Sequence, residues 1–223
     1  LGEKEDSAST TVSDYSVEFV IEKANRILKP YSLDVKEVTW WSVYEVAHRI
    51  TDGFDDVPDE LRETTHPRAF IMGDACHTHS AKAGQGMNVS IQDGWNLSWK
   101  LAHVLTGLAP ESLLSTYAAE RKTIAQNLID FDKEWSDMMA KPVESWDDPD
   151  ALAKFYESTM EFPAGFMTQY PASMIIGNAD RQNLAQGFPI GKRFKSAEVI
   201  RRADNRWRQL GHLHEADGRW RVY

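Results

Sequence analysis

The sequence predicts a mixed fold, α+β or α/β, from three observations. Residues 69–72 form a short apolar run of strand length, cut off by Gly73 and Asp74. A polar loop with glycines at 84 and 86 follows, and residues 88–105 then place Ile91, Trp95, Trp99, Ala102 and Leu105 at three- and four-residue spacing. That spacing is the mark of a helix with one buried apolar face. Residues 33–50, rich in valine, tryptophan and tyrosine, read as two strands or one bent strand.

The remaining elements follow in chain order. Residues 1–14 are small and polar and read as a loop. Residues 17–28 form an amphipathic helix with Val17, Val20, Ile21, Ala24, Ile27 and Leu28 on its apolar face, a cap at Ser16 or Asp14, and Pro30 as its stop. Residues 52–67 form a loop with one helical turn near 59–62. Gly107 stops the helix that began at 88, and Pro110 opens the next. Over 113–139, Tyr117, Ile124, Leu128, Phe131, Trp135 and Met138 fall on one stripe of a long helix, so Glu120 and Arg121 read as parts of a packed core helix. Residues 140–150 form a linker, 151–162 a helix, and 163–191 an irregular stretch with a short buried piece at 174–176. Residues 192–223 turn basic, with nine Lys/Arg against four Asp/Glu.

Composition narrows the function. The chain has 223 residues, enough for one large domain or two small ones, and 42% hydrophobic residues, enough for a core. A net charge of −9 argues against general nucleic-acid binding. The single cysteine, Cys76, excludes an internal disulfide and fits a reducing compartment. No apolar run approaches the roughly 20 residues of a membrane span.

The order strand, acidic turn, glycine loop, helix start has a chemical use. A helix start offers unpaired N–H groups and partial positive charge. Gly84 and Gly86 let a ligand approach the backbone, and Asp74 is placed to accept hydrogen bonds from ligand hydroxyls. These residues suit a nucleotide-like ligand with a polyol and an electron-rich ring or phosphates.

The run Gly73-Asp74-Ala75-Cys76-His77, then Gly84-Gln85-Gly86-Met87-Asn88, then Asp93 and Asn96-Leu97-Ser98-Trp99-Lys100-Leu101-Ala102 resembles the second FAD motif of flavin-dependent aromatic hydroxylases, in the phenol 2-monooxygenase and 3-hydroxybenzoate 4-monooxygenase branch. The resemblance implies that Asp74 binds the ribityl chain and that Gly84, Gln85, Gly86, Met87 and Asn88 lie against the flavin ring. It also implies FAD as cofactor, NADPH as co-substrate, and ortho-hydroxylation of a phenol or hydroxybenzoate by O₂ through a flavin C4a-hydroperoxide, in a possible homodimer. The segment Trp40-Trp41-Ser42-Val43-Tyr44-Glu45 resembles the sheet that walls the family's substrate pocket, so Tyr44 becomes a candidate substrate contact and Arg49 a candidate for a carboxylate, though each also reads as an ordinary aromatic or ion pair. The family commonly has proline where this loop has Ala81, which implies a looser loop. Residues 191–223 resemble the entry into a thioredoxin-like C-terminal domain. Without a GxGxxG turn, the chain reads as a fragment divided into 1–66, the end of a substrate-domain sheet; 67–108, the FAD motif; 109–190, helical; and 191–223. The substrate-activating residues are expected upstream of it, so no catalytic residue is assigned.

Three rival readings compete. Asp74, Cys76, His77 and His79 are sound zinc ligands, but they span only six positions, and no metal is expected. Cys76 and His77 as nucleophile and base are neighbours that seldom aim at one another. The third is a structural fragment that neither binds FAD nor catalyses alone.

Overall fold

The computed structural model describes residues 15–43, 46–142, 145–213, 215, 217 and 221. Four helices carry the architecture: α1 (Val17–Ile27), α2 (Gly86–Leu105), α3 (Thr116–Ala140) and α4 (Ala151–Thr159). Two antiparallel two-stranded ladders complete it. β1 (Arg49–Ile50) pairs with β2 (His77–Thr78), and β3 (Glu198–Arg201) pairs with β4 (Arg206–Gln209). Among the described residues no helix is long and apolar enough to cross a membrane.

The core sits where α2 and α3 meet the 50–78 segment. Phe54, Cys76, Leu97, Tyr117, Ala118 and Ala125 are buried together, with Ile50, Phe70 and Leu101 packed around them. A second cluster joins Val89, Ile124 and Leu128 to Phe162 and Tyr170. Tyr117 anchors the first cluster at both ends. Its ring meets Phe70 edge-on, and its hydroxyl donates to the Ile71 carbonyl at 2.8 Å.

Several local expectations hold. α1 starts at Ser16, whose hydroxyl accepts from Phe19 N–H at 3.2 Å. Gly107 ends α2 at φ +74°, and the Leu108 N–H returns to the His103 carbonyl, a left-handed stop that suits glycine. A single helical turn occupies Asp59–Leu61.

Others fail for physical reasons. The described residues of 31–48 form no strand, and Trp40 is 81% exposed. Their valine-rich composition gives strand propensity, but propensity without a partner ladder makes no sheet, and only Arg49–Ile50 finds one. The 69–72 run is likewise not a buried strand. It makes one bridge, Asp55 with Phe70, and leaves Ile71 and Met72 exposed. Met174 and Ile175 are exposed rather than buried.

The largest reversal concerns α2. Its predicted face is the outer one: Ile91 is 62%, Trp95 71% and Leu105 82% exposed. The buried positions are Val89, Asp93, Asn96, Leu97 and Lys100. Polar side chains can occupy a buried face when each meets a partner, and α3 supplies those partners.

Candidate functional site

α3 presents Glu120, Arg121 and Asp132 to the FAD-like motif, all buried. Lys100 Nζ lies 2.7 Å from Glu120 Oε2, which also accepts from Asn96 Nδ2 at 2.7 Å. Burial pushes the Lys100 ammonium below its ordinary range, outweighing the support of Glu120.

Asp93 is the hub. Its Oδ2 accepts from Gly73 N–H at 3.1 Å and from His77 Nε2 at 2.9 Å, and its Oδ1 accepts from Arg121 Nε at 2.6 Å. A carboxylate only accepts, so His77 carries its proton on Nε2. Burial alone would raise the Asp93 pKa, but the bonds from His77, Arg121 and Gly73 hold it below the ordinary aspartate value of 3.8. Arg121 continues outward to Tyr170 Oη at 2.8 Å.

This hub shapes the turn that carries Asp74. Gly73 has φ +60°, and an added Cβ would lie 3.0 Å from Ser90 Oγ, so glycine suits both its conformation and its contact. Asp74 follows in a short helical turn, Gly73–Ala75, with its side chain exposed.

The glycine loop is held from the other side. Asp132 Oδ2 accepts from Ser80 N–H at 2.6 Å, and Oδ1 accepts from Ser80 Oγ at 2.7 Å. Ser80 Oγ in turn accepts from Lys82 N–H at 3.1 Å, and the Gly84 N–H donates to the Ala81 carbonyl at 3.1 Å. The 80–84 loop is therefore bonded at several points, even with alanine at 81.

α2 begins at Gly86 with Gln85 as its cap and no side-chain capping bond. Its first N–H groups have no partner within the helix. The His79 ring lies directly against Gly86, where an added Cβ would come 2.5 Å from its Cε1. His79 Nδ1 faces the Ser80 carbonyl at 2.8 Å and must donate to it.

A cleft of about 600 Å³ opens here, lined by Asp74, Thr78, His79, Ser80, Ala81, Gly84, Gly86, Met87 and Ser90. Of the six expected cofactor residues, Asp74, Gly84, Gly86 and Met87 share this cleft. Gln85 and Asn88 line a second cleft of about 390 Å³, with Val89, Ile124 and Phe162. They bond each other, Asn88 Nδ2 to Gln85 Oε1 at 3.2 Å. Tyr44 lies outside the described residues, and Arg49 is exposed on β1 opposite Thr78.

The rival chemistries meet obstacles. Cys76 is buried, and burial first, then the charge of Asp93, push its thiol up to about 12, which opposes a thiolate nucleophile. Among the described residues no three His, Cys, Asp or Glu side chains form a metal-binding group.

Sequence reasoning missed Ser80, Asp132 and the roles of Asp93, Lys100, Glu120 and Arg121. A signal existed: charges of opposite sign stand seven residues apart, at 93 and 100, on one helix, and a second pair of opposite sign, 120 and 121, lies on the next.

Residues 168–223 match the phenol hydroxylase C-terminal dimerisation domain. The chain is 50% identical over 214 residues to a 3-hydroxybenzoate 4-monooxygenase of Comamonas testosteroni, covering 93% of this chain and 34% of that protein. It is 37% identical over 218 residues to a phenol 2-monooxygenase of Aspergillus fumigatus, covering 96% and 35%. The chain thus spans about a third of the length of the curated relatives it matches. Among solved structures it resembles aklavinone-11 hydroxylase in complex with FAD and aklavinone, at a TM-score of 0.61 and 23% identity over 93% of this chain and 36% of that one, a likeness of fold. Residues 3–132 match the FAD binding domain family, and the chain belongs to it.

Proposed function

We propose that this chain carries the flavin-holding part of a FAD-dependent aromatic monooxygenase that ortho-hydroxylates a phenolic substrate with NADPH and O₂. The observation that carries the proposal is the cleft that gathers Asp74, the glycine loop and an uncapped helix start in a chain of the FAD binding domain family. The residues fit the group. The Asp74 carboxylate is exposed and has no partner among the described residues. A Cβ at Gly84 would meet nothing within 4 Å, so the backbone there stands open.

When bound, FAD would supply the redox chemistry and the activation of O₂. Asp74 would accept hydrogen bonds from ribityl hydroxyls. The N–H groups of Gly86, Met87 and Asn88 would face the electron-rich edge of the ring, where the helix start favours negative charge. Gln85 would set the helix entry. The relatives' names support a phenol or hydroxybenzoate as substrate, and the dimerisation-domain match supports a homodimer. The same reading puts the protein in the cytoplasm, with 67–108 as its flavin segment and 191–223 as the entry to a thioredoxin-like domain.

The test is FAD titration of the full protein, followed by the flavin's visible absorbance. Asp74→Ala should weaken binding by about tenfold, the worth of one charge-assisted hydrogen bond. Unchanged binding would remove Asp74 from the site. No flavin binding by the unaltered protein would remove the function.

A further inference from the structure

Asp132 lies 52 residues beyond the loop it holds. It is fully buried, yet its carboxylate serves no neighbour on its own helix as its main partner. Both oxygens reach the flavin-side loop, Oδ2 to Ser80 N–H and Oδ1 to Ser80 Oγ. Oδ2 also accepts from His48 Nε2 at 2.9 Å, which fixes the proton of that ring on Nε2. Three donors thus converge on one buried acceptor, and two of them belong to Ser80, which lines the cleft.

The proton order is determined. Ser80 Oγ gives its hydrogen to Asp132, so it receives hydrogens from Lys82 N–H and, at 3.3 Å, from the Ser136 hydroxyl. Ser80 is thereby locked in position and direction. The next residue is Ala81, with no ring to restrain its φ, and the loop runs on to Gly84 at φ +64°. A short loop without proline that runs into a glycine turn has little stiffness of its own. The fixed reference for this loop is the buried carboxylate.

We propose that Asp132 is a positioning residue of the flavin site: through Ser80 it sets the height of the 80–84 loop over the cleft, and His48 holds the carboxylate in register. The proposal rests on the flavin reading above. It concerns how the loop is placed, and assigns Asp132 no contact with the cofactor or the substrate.

The experiment has two arms on the full protein. The first follows hydrogen exchange of the 78–88 backbone amides without FAD, in the unaltered protein and in Asp132→Asn, Ser80→Ala and the exposed same-helix control Lys133→Ala. Asp132→Asn keeps the side-chain shape but puts an N–H where a second acceptor stood. Exchange at 80–84 should quicken by about tenfold or more in Asp132→Asn and Ser80→Ala, and stay unchanged in Lys133→Ala. The second arm titrates FAD. Both loop variants should bind it about tenfold more weakly, and at saturation their flavin spectrum should move toward that of free FAD. A purely stabilising residue would lower thermal stability and leave the saturated spectrum alone. Unchanged loop exchange in Asp132→Asn overturns the anchor. Quickened exchange with an unchanged saturated spectrum overturns the positioning role. If the unaltered protein takes up no FAD, the flavin reading fails and the positioning role falls with it, whatever the exchange arm reports.

Discussion

Asp93 has no solvent exposure and makes three bonds, to Gly73, His77 and Arg121. Removing its charge leaves the Arg121 guanidinium buried without its anionic partner. Asp93→Asn should therefore cost about 3–5 kcal/mol of stability, the penalty for breaking a buried pair from one side. Urea unfolding monitored by the tryptophans would read it, and a loss below about 1 kcal/mol would show that the hub is not a net support. Its depressed pKa adds a pH signature. The folded value lies below the ordinary 3.8, so the contribution is present above that pH and is lost as pH falls through the folded value. The unaltered protein should lose thermal stability below about pH 4 more steeply than Asp93→Asn. Gly73 makes a separate case at this scale. Its φ of +60° and the nearby Ser90 hydroxyl make Gly73→Ala a backbone and contact problem together, worth about 1–2 kcal/mol.

Elements explain where sequence reading succeeds and where it stops. The caps and stops at Ser16 and Gly107 are local chemistry, and they are legible because one residue decides each. The FAD-like motif is legible for a related reason: Gly73, Asp74, Gly84 and Gly86 stand close in sequence and in space. The packing face of α2 is not legible from periodicity. Ile91, Trp95 and Leu105 form the more regular apolar stripe, yet the helix turns Asp93, Asn96 and Lys100 inward. The decision lies in α3, whose Glu120 and Arg121 satisfy those groups, and no rule applied to one helix can see it. The pairing predicts a specific asymmetry. Lys100→Met alone leaves the Glu120 carboxylate buried beside only the Asn96 amide, and should destabilise by about 3–5 kcal/mol. The double change Lys100→Met with Glu120→Leu should recover most of that loss, because an apolar pair of similar volume replaces the ionic one. Equal losses in the single and double variants would mean that the salt bridge contributes specific stability.

At the scale of the molecule, two buried clusters lie along α2 and α3, and α1, α4 and the β3–β4 hairpin contribute no buried residue to them. α1 buries no residue, and its Val20 and Ile27 remain exposed despite a sound amphipathic pattern. The strand expectation for 33–50 is met among the described residues at Arg49–Ile50 alone, since a sheet is a property of at least two segments and composition speaks for only one. Within the basic stretch, residues 198–209 form the β3–β4 hairpin. Its charges are partly satisfied within it, with Arg201, Arg206 and Arg208 gathered around Asp204. These pairs are partly exposed, so added salt should screen them and quicken amide exchange at 198–209.

The reach of the anchors also has a kinetic consequence. The bonds that shape the cleft span 20 residues from Gly73 to Asp93, 28 from Asp93 to Arg121 and 52 from Ser80 to Asp132. None forms while the chain is still a string of separate helices. The motif that is most compact in sequence is therefore completed only after α2 and α3 have docked. In a refolding experiment, capture of the ligand should trail the burial of Tyr117, and any gain of helical signal before it should be silent toward the flavin.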